Sequence, residues 1–419
     1  MNDERTIVGL DIGTEVIKVA VGKYDDNGKL EIVATSSKKS VGLKNGVIVN
    51  IEDAKDAIKA AIEEVEQNAG MLVNSVIVAV GGSLIQSENA TATVPIKPNP
   101  KTNRKEVTQD DIDQVIDMAI AINSPADREK IHVIPQRYLV DGISIGTQSP
   151  INRLGNKLAV EVHMVTGSKT VIQNMKSCMN RAGYILDAVM LKTLAQTQSV
   201  CHDDELELGS IIIDLGADTT DVMVLLHGAP VSTASIPVGG NLVTSDISIV
   251  TGIPVAAAET IKLESGCCWL PGIGSNDEDV ILPGVGGRPP ELLARSQLCQ
   301  IIQARVEQIF ALVRAEIKKN TSDSITQLSG NIILTGGGAM MEGIVELAQA
   351  KFRTSSVRIG IPDSLGGKES EYRRPDFATA IGLVQANKLI PKSNKKNSGS
   401  NKGRREKDNI FKRIRDTFF

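Results

Sequence analysis

The chain has 419 residues, 41% of them hydrophobic and 3% aromatic, with 46 Lys/Arg against 50 Asp/Glu. Such a length exceeds one ordinary core and calls for two to four domains, whose cores must be built from Ile, Val, Leu and Ala. The charge is uneven: residues 386–419 carry eleven Lys/Arg and three Asp/Glu (+8) and the rest 35 and 47 (−12), which excludes a nucleic-acid-binding body and leaves the tail to attract an anionic partner.

Asn2, Asp3, Glu4 and Arg5 lead directly into a strand, so no signal peptide is expected. No run approaches the roughly twenty apolar residues of a membrane span. Cys178, Cys201, Cys267, Cys268 and Cys299 form no C-x-x-C pair. A soluble, intracellular body without a cysteine metal site is the expectation.

Ile7-Val8-Gly9-Leu10-Asp11-Ile12-Gly13-Thr14 reads as an apolar strand closed by an acid, a glycine and a hydroxyl, with Val19-Ala20-Val21 as its return. A short strand over residues 30–34 follows, then a helix over Ile51–Ala69. The helix sets Ile58, Ile62 and Val65 on one side at the helical period and stops at Gly70, a residue suited to a left-handed cap. Val76-Ile77-Val78-Ala79-Val80 is a buried strand before Gly81-Gly82.

Between residues 83 and 165 the texture changes. Pro95, Pro98 and Pro100 cluster, and Thr108 with Asp111 opens a helix as a capping box. Ile112, Val115, Ile116, Ala119 and Ile120 form its apolar face, and extended stretches cover residues 132–140 and 157–165. This reads as a small α+β module inserted in the first domain, which resumes with a helix over residues 168–182.

Ile211-Ile212-Ile213-Asp214-Leu215-Gly216-Ala217-Asp218-Thr219-Thr220 repeats the plan of the first hairpin, with Val222-Met223-Val224-Leu225 returning. Residues 246–317 are expected to be largely helical, interrupted by turn-rich runs at 267–271 and 283–290, with a long amphipathic helix over 290–317. Ile332-Ile333-Leu334-Thr335 then runs into Gly336-Gly337-Gly338, with a helix from Met341. Residues 391–408 are too polar to bury a core and form a flexible linker.

Glycine lets consecutive backbone N–H groups approach an anion without a Cβ in the way. Carboxylates cannot ligate phosphate directly, but two opposite each other can hold Mg²⁺ through its waters. Two matching hairpins and a later triple glycine therefore imply a duplicated domain clasping a nucleotide. A Walker-type loop and a strand-linked G-x-G-x-x-G are both absent from the sequence.

The tail carries a separate signal. At roughly 100° per residue, Ile410, Ile414, Phe418 and Phe411 share one side, Lys412, Arg413 and Asp416 face away, and Arg415 flanks the stripe. Basic residues beside an aromatic-aliphatic face suit an interfacial helix among anionic headgroups. The alternative is a helix docked on the protein's own body, against which the long polar linker argues.

The order of these motifs resembles the actin/Hsp70/sugar-kinase superfamily. Within it, Tyr138-Leu139-Val140-Asp141, Val162-His163-Met164-Val165-Thr166, Val238-Gly239-Gly240-Asn241-Leu242-Val243-Thr244-Ser245-Asp246-Ile247, Val285-Gly286-Gly287-Arg288-Pro289-Pro290 and Ile332 to Ala339 resemble the FtsA family of bacterial cell-division actins. The resemblance covers about residues 5–388 and the tail. It implies an α/β, actin-like (ribonuclease H-like) pair of duplicated domains, an inserted α+β subdomain and a C-terminal amphipathic helix. The implied division is 1–82 with 166–208 and 370–390 (first core), 83–165 (insert), 209–245 with 318–369 (second core), 246–317 (smaller subdomain), 391–408 (linker) and 409–419 (membrane helix).

Carried onto this chain, the resemblance places Asp11, Gly13, Thr14 and Lys18 in a first phosphate loop and Asp214, Gly216, Asp218 and Thr219 in a second. Asp11 and Asp214 face Mg²⁺ through water. Gly336, Gly337, Gly338 and Met340 hold the adenosine of ATP, Gly239 and Gly240 edge the cleft, and Glu259 and Lys262 close over the ribose and base or else form an exposed pair. Asp221 and His163 read as structural. Superfamily ATPases place a Glu or Gln in the helix joining the halves; here Gln196 is the candidate, while Lys192 occupies the more suggestive position, so turnover is expected to be slow at most.

The implied partners are the FtsZ C-terminal tail, further copies of the chain as a polymer, anionic membrane lipid and later division proteins, at the cytoplasmic face of the membrane at the division site. Arg288, Arg295 and Arg305 are candidate contacts for the FtsZ tail, or simply solvated or structural. Ile410, Phe411, Ile414, Arg415 and Phe418 would meet lipid. Two alternatives stay open: a pilus-assembly actin-like scaffold, and a small-molecule kinase of the same superfamily. An Hsp70-like chaperone would need a larger C-terminal domain.

Overall fold

A computed structural model describes residues 6–389 except 84, 99–102, 123–126, 275–278, 288 and 322–330. The linker, the amphipathic tail and Arg288 lie outside the described residues.

The first half begins with the meander β1 (Thr6–Ile12), β2 (Val16–Tyr24) and β3 (Leu30–Lys39), the last running beyond the expected residues 30–34. A two-strand ribbon, β4 (Leu43–Lys44) and β5 (Val47–Ile48), leads to α1 (Ile51–Ala69) and β6 (Ser75–Val80). Asn50 caps α1 by accepting from the Glu52 and Asp53 N–H groups, and Gly70 ends it in the left-handed conformation.

The insert comprises β7 (Ile85–Pro95), α2 (Gln109–Ile122), β8 (Arg128–Val140), β9 (Ile143–Gly146) and β10 (Lys157–Ser168), with sheet order β7-β10-β8-β9. The capping box is present: Thr108 N–H donates to Asp111 Oδ2 and Asp111 N–H to Thr108 Oγ1. The insert has its own core, with Ile112, Val115 and Ala119 packed among Val94, Leu158 and Val160.

The first half resumes with α3 (Lys169–Ala182), β11 (Ile185–Leu191), α4 (Lys192–Val200) and a short α5 (Asp203–Leu208). The second half contains β12 (Ser210–Leu215), β13 (Thr220–Leu226), β14 (Ala229–Ile236), α6 (Gly240–Thr251), α7 (Val255–Ser265), the ribbon β15 (Val280–Leu282) and β16 (Glu291–Leu293), and α8 (Arg295–Thr321). It continues through β17 (Ile332–Thr335), α9 (Ile344–Phe352), β18 (Val357–Ile359) and α10 (Glu369–Tyr372) before α11 (Ala378–Gln385) returns to the first half.

The two main sheets repeat one topology. Their orders are β11-β6-β1-β2-β3 and β18-β17-β12-β13-β14, read in the same sense. In each, an antiparallel hairpin continues into two parallel strands, β6 and β11 or β17 and β18. Between the sheets lie α4 and α11, whose Leu194, Ala195, Ile381 and Leu383 pack with Ile77 of one sheet and Ile212 and Met223 of the other. On the first sheet's other face α1 and α3 bury Ile58, Ile62, Met175 and Met179.

Two expectations shift. The long helix begins at Arg295 instead of 290, because Glu291–Leu293 pairs with Val280–Leu282; Val280 and Leu282 are buried and Ile281 exposed, the two-residue period of a strand. The triple glycine opens a 3₁₀ turn, Gly337–Met340, before α9 begins at Ile344.

The insert also fastens to the second half. Ser87 Oγ donates to Thr233 O at 2.7 Å, Asn89 Nδ2 to Val231 O at 2.9 Å and Gln136 Nε2 to Pro230 O at 3.0 Å. His163 is buried between Asn89 Oδ1 and Thr233 Oγ1, and burial pushes its pKa down to about 3. Among the described residues no single helix is long and apolar enough to cross a membrane.

Candidate functional site

The two hairpin turns are built alike. Asp11 pairs with Lys18 across β1 and β2, and Asp214 with Asp221 across β12 and β13. Two residues after each acid stands a glycine whose Cβ would lie 2.5 Å from Val16 O in the first turn and 2.7 Å from Thr219 O in the second. Any larger residue would force both turns open, so the repeated glycine follows directly from the repeated geometry.

The turns face each other across a cavity of about 900 Å³ between the halves, a volume suited to a small-molecule ligand. Asp11, Gly13, Thr14 and Lys18 line it from the first half, and Asp214, Gly216 and Thr219 from the second turn. Gly239, Gly240, Glu259 and Lys262 line another wall, and Gly336, Gly337, Gly338 and Met340 a third. Lys262 is fixed by Glu259 at 2.7 Å, Thr244 Oγ1 at 2.9 Å and the Gly240 carbonyl at 3.3 Å, so this pair is built into the wall and not exposed. Around Gly337 the space where a Cβ would stand is open to 4 Å.

Two expected residues do not line the cavity. Asp218 accepts from Asn45 N–H of the first half and from Asn241 Nδ2, both at 2.8 Å, forming a bridge between the halves. Gln196 lies one turn further along α4 than Lys192, buried, with Nε2 donating to Thr379 Oγ1 at 2.9 Å. Of the candidate arginines, Arg295 pairs with Glu342 and donates to Ser265 O, while Arg305 holds Asp246 by a two-pronged contact of 2.5 and 2.7 Å.

The floor of the cavity concentrates charge. Asp11, Asp214 and Asp221 are all buried there, and Lys192 Nζ stands 2.8 Å from Asp214 Oδ2. Burial pushes Asp11 and Asp221 above the usual carboxylate range, against the pull of Lys192. Asp214 Oδ1 is buried with no hydrogen-bond partner. Lys18 lies 3.4 Å from Asp376 Oδ2 and 5.8 Å from the centre of the Phe377 ring.

Asp376 and Arg374 line the cavity without having been signalled by any sequence motif. Asp221, read from sequence as structural, also reaches it and accepts from Gly82 N–H at 3.4 Å. Its position opposite Asp214 in the hairpin register was the available signal.

Comparison with known proteins agrees with this architecture. A sequence model described as "Cell division protein FtsA" matches residues 211–382, and one for the "SHS2 domain inserted in FTSA" matches residues 82–166. The cell division protein FtsA of Borreliella burgdorferi is 39% identical over 412 residues, covering 98% of each chain. That of Pseudomonas aeruginosa is 37% identical over 91% of this chain and 88% of its own.

Solved structures share the fold at low identity. The PilM–PilN type IV pilus biogenesis complex aligns with a TM-score of 0.63 and 15% identity, covering 90% of this chain and 97% of that one. MreB 5 of Spiroplasma citri bound to AMPPNP gives 0.54 and 15%, covering 92% and 96%, and the MamK double helical filament 0.52 and 14%, covering 93% and 100%. The fold is thus actin-like, α/β, with an SHS2 insert, and the chain belongs to the family of the cell division protein FtsA.

Proposed function

We propose that this chain binds ATP with Mg²⁺ between its halves, assembles into polymers and ties FtsZ filaments to the cytoplasmic face of the membrane at the division site. The observation that carries the nucleotide reading is the pair of matching glycine turns facing each other across the cavity. The residues fit the ligand: open space at Gly337, small residues at Gly240 and Gly338, and a buried, unpartnered oxygen on Asp214. The likeness of the fold to MreB bound to AMPPNP lends support.

In this reading the backbone N–H groups near Gly13 and Gly216 orient the phosphates, and Lys18 adds positive charge. Gly336, Gly337, Gly338 and Met340 receive the adenosine, with Glu259 and Lys262 beside it. Asp11 and Asp214 would hold Mg²⁺ through water; the ion supplies charge neutralisation at the phosphate oxygens. Gln196 is turned into the core against Thr379, so no side-chain amide from α4 reaches the cavity to orient water. Binding without rapid hydrolysis suits a nucleotide whose role is to set conformation and assembly.

Attachment rests on the sequence of the tail. Burying each large apolar side chain contributes roughly 1.5–3 kcal/mol, part of which is offset by folding an eleven-residue helix that is unstable in water. One tail holds weakly and reversibly; many on a polymer hold firmly through effective concentration. Polymerisation is supported by the likeness to the MamK filament, and a division role, in preference to a pilus scaffold, by the relatives. FtsZ, lipid and later division proteins are the partners this reading requires.

Liposome co-sedimentation tests the tether. The full chain should pellet with anionic vesicles and bring FtsZ polymers with it, whereas a truncation before Asn409 should leave both in the supernatant. Equal pelleting of the two chains would sink the membrane reading. Vesicle pelleting without FtsZ would point to another scaffold.

A further inference from the structure

We propose that Asp218 and the tip of the β4–β5 ribbon form a clasp that closes the cleft over bound nucleotide and sets how fast it leaves, which rests on the ATP reading above for the ligand but not for the clasp itself.

The ribbon holds its tip in a fixed place. Leu43 pairs with Ile48 and Lys44 with Val47, leaving Asn45 and Gly46 as a two-residue turn. Both have positive φ, +51° and +75°, the geometry of the type I′ hairpin that Asn-Gly favours. At the base, the Val49 and Asn50 N–H groups donate to Gly42 O at 2.9 and 3.1 Å, and Ile48 is buried in the core beneath α1 and α3. The tip rests backbone to backbone on the Gly81–Gly82 turn: a Cβ on Gly82 would lie 2.7 Å from Asn45 O.

Two successive N–H groups of this tip meet the two glycine turns. Gly46 N–H donates to Thr14 Oγ1 of the first turn at 3.1 Å, and Asn45 N–H to Asp218 Oδ2 of the second at 2.8 Å. The Gly46 bond stays within the first half; the Asn45 bond crosses to the second. Asn241, near the start of α6, orients the carboxylate by donating to Oδ1 at 2.8 Å. Both carboxylate oxygens are thus taken by N–H donors, and Asp218 does not line the cavity, where phosphates would repel it. Gly46 does line it. Accepting from Gly46 leaves the Thr14 hydroxyl its own proton to donate to a phosphate.

A ligand that draws the two turns together also brings Asn45 and Asp218 together, and it leaves only when the halves part and this bond breaks. A hydrogen bond to a charged acceptor is strong enough that its loss should speed escape by about tenfold. Association starts from the open cleft and should change little. Asp218 is therefore a positioning residue, acting on the nucleotide through the ribbon.

The test uses the full chain as wild type, Asp218→Asn and Asn45→Gly, with the fluorescent analogue mant-ATP in MgCl₂ as the probe. An amide at 218 cannot accept from both donors, whereas glycine at 45 keeps the N–H and the positive φ. In a stopped-flow chase D218N should release mant-ATP about tenfold faster than wild type, with association within about threefold, and N45G should stay within about twofold in both rates. Amides of residues 43–48 should exchange faster in D218N than in wild type, and ATP should slow them in wild type alone.

Release from D218N at the wild-type rate would overturn the proposal. So would slower association with unchanged release, the mark of a direct nucleotide contact. If D218N does not fold, ribbon amides that exchange equally fast in wild type with and without ATP overturn it. Wild type that binds no mant-ATP would defeat the nucleotide reading; equal ribbon exchange in ligand-free wild type and D218N would overturn the clasp itself.

Discussion

Gly336→Ala should cost about 3–5 kcal/mol of stability and abolish ATP binding, the largest single-residue effect expected at the site. Gly336 has φ +79° and ψ 178°, a region that only glycine occupies readily. A Cβ there would also stand 2.1 Å from Asp214 Oδ1 and 2.8 Å from Leu215 O. Backbone strain and collision therefore add, and the collision displaces the acid on the neighbouring strand β12. Urea unfolding of wild type and variant measures the first effect and ATP binding the second. A variant as stable as wild type would mean that the triple-glycine turn does not lie against Asp214.

Arg358→Ala should destabilise the second half by about 3–5 kcal/mol, the cost of leaving a buried charge without its partner. Glu205 is buried at the end of the chain segment that joins the halves. It accepts from Arg358 Nε at 2.7 Å and Nη2 at 2.5 Å, from Asn331 Nδ2 at 2.5 Å and from His202 N–H at 3.0 Å. Arg358 also donates to the Val200 carbonyl at 2.5 Å, so the cluster joins α4, α5, β18 and the start of β17.

The same cluster predicts a pH dependence. Burial alone would raise the Glu205 pKa, but the hydrogen bonds from Arg358, Asn331 and His202 outweigh it and pull it down to about 2. Its folded pKa therefore lies below the unfolded value of 4.5. The stabilisation is complete above about 4.5 and is lost as pH falls from there towards about 2, because the unfolded chain takes up the proton first. Wild type should lose stability across that window, and R358A should start lower and lose less. Denaturant titrations from pH 6 to pH 3 check this; parallel curves would contradict it.

Much of the fold was legible because its signals are local. Continuous apolar runs marked β1, β6, β12 and β17, since strands buried on both faces need no polar alternation. The Asp-x-Gly turns were readable because a tight turn selects glycine by sterics alone, and the Thr108–Asp111 box because a cap is a three-residue event. Helix α11 gave little warning: Ala378–Gln385 is buried on nearly every side, so it has no amphipathic period to detect. Helix α5 is six residues long, too short for a period to show.

The site was legible in its walls and less so in its charge pairing. Asp218 has the spacing of a cleft residue, yet its oxygens are taken by Asn45 and Asn241, contacts 173 and 23 residues away in sequence. Gln196 has the side chain a water-orienting role calls for, but one helical turn along α4 sets it behind Thr379, which lines the cavity in its place. Lys192 stood out by its position in the sequence but its acid did not, and Asp376 acquires its meaning only from a partner brought in by tertiary packing.

The central claim, that the paired turns enclose a nucleotide, is tested most directly at Gly337. Because nothing stands within 4 Å of a Cβ at that position, Gly337→Phe should leave the unfolding midpoint within about 2 °C of wild type while filling the space proposed for adenosine. Calorimetric titration with ATP should then show one site per wild-type chain and none in the variant. An unbound wild type, or a folded variant that binds ATP as tightly as wild type, would contradict the account.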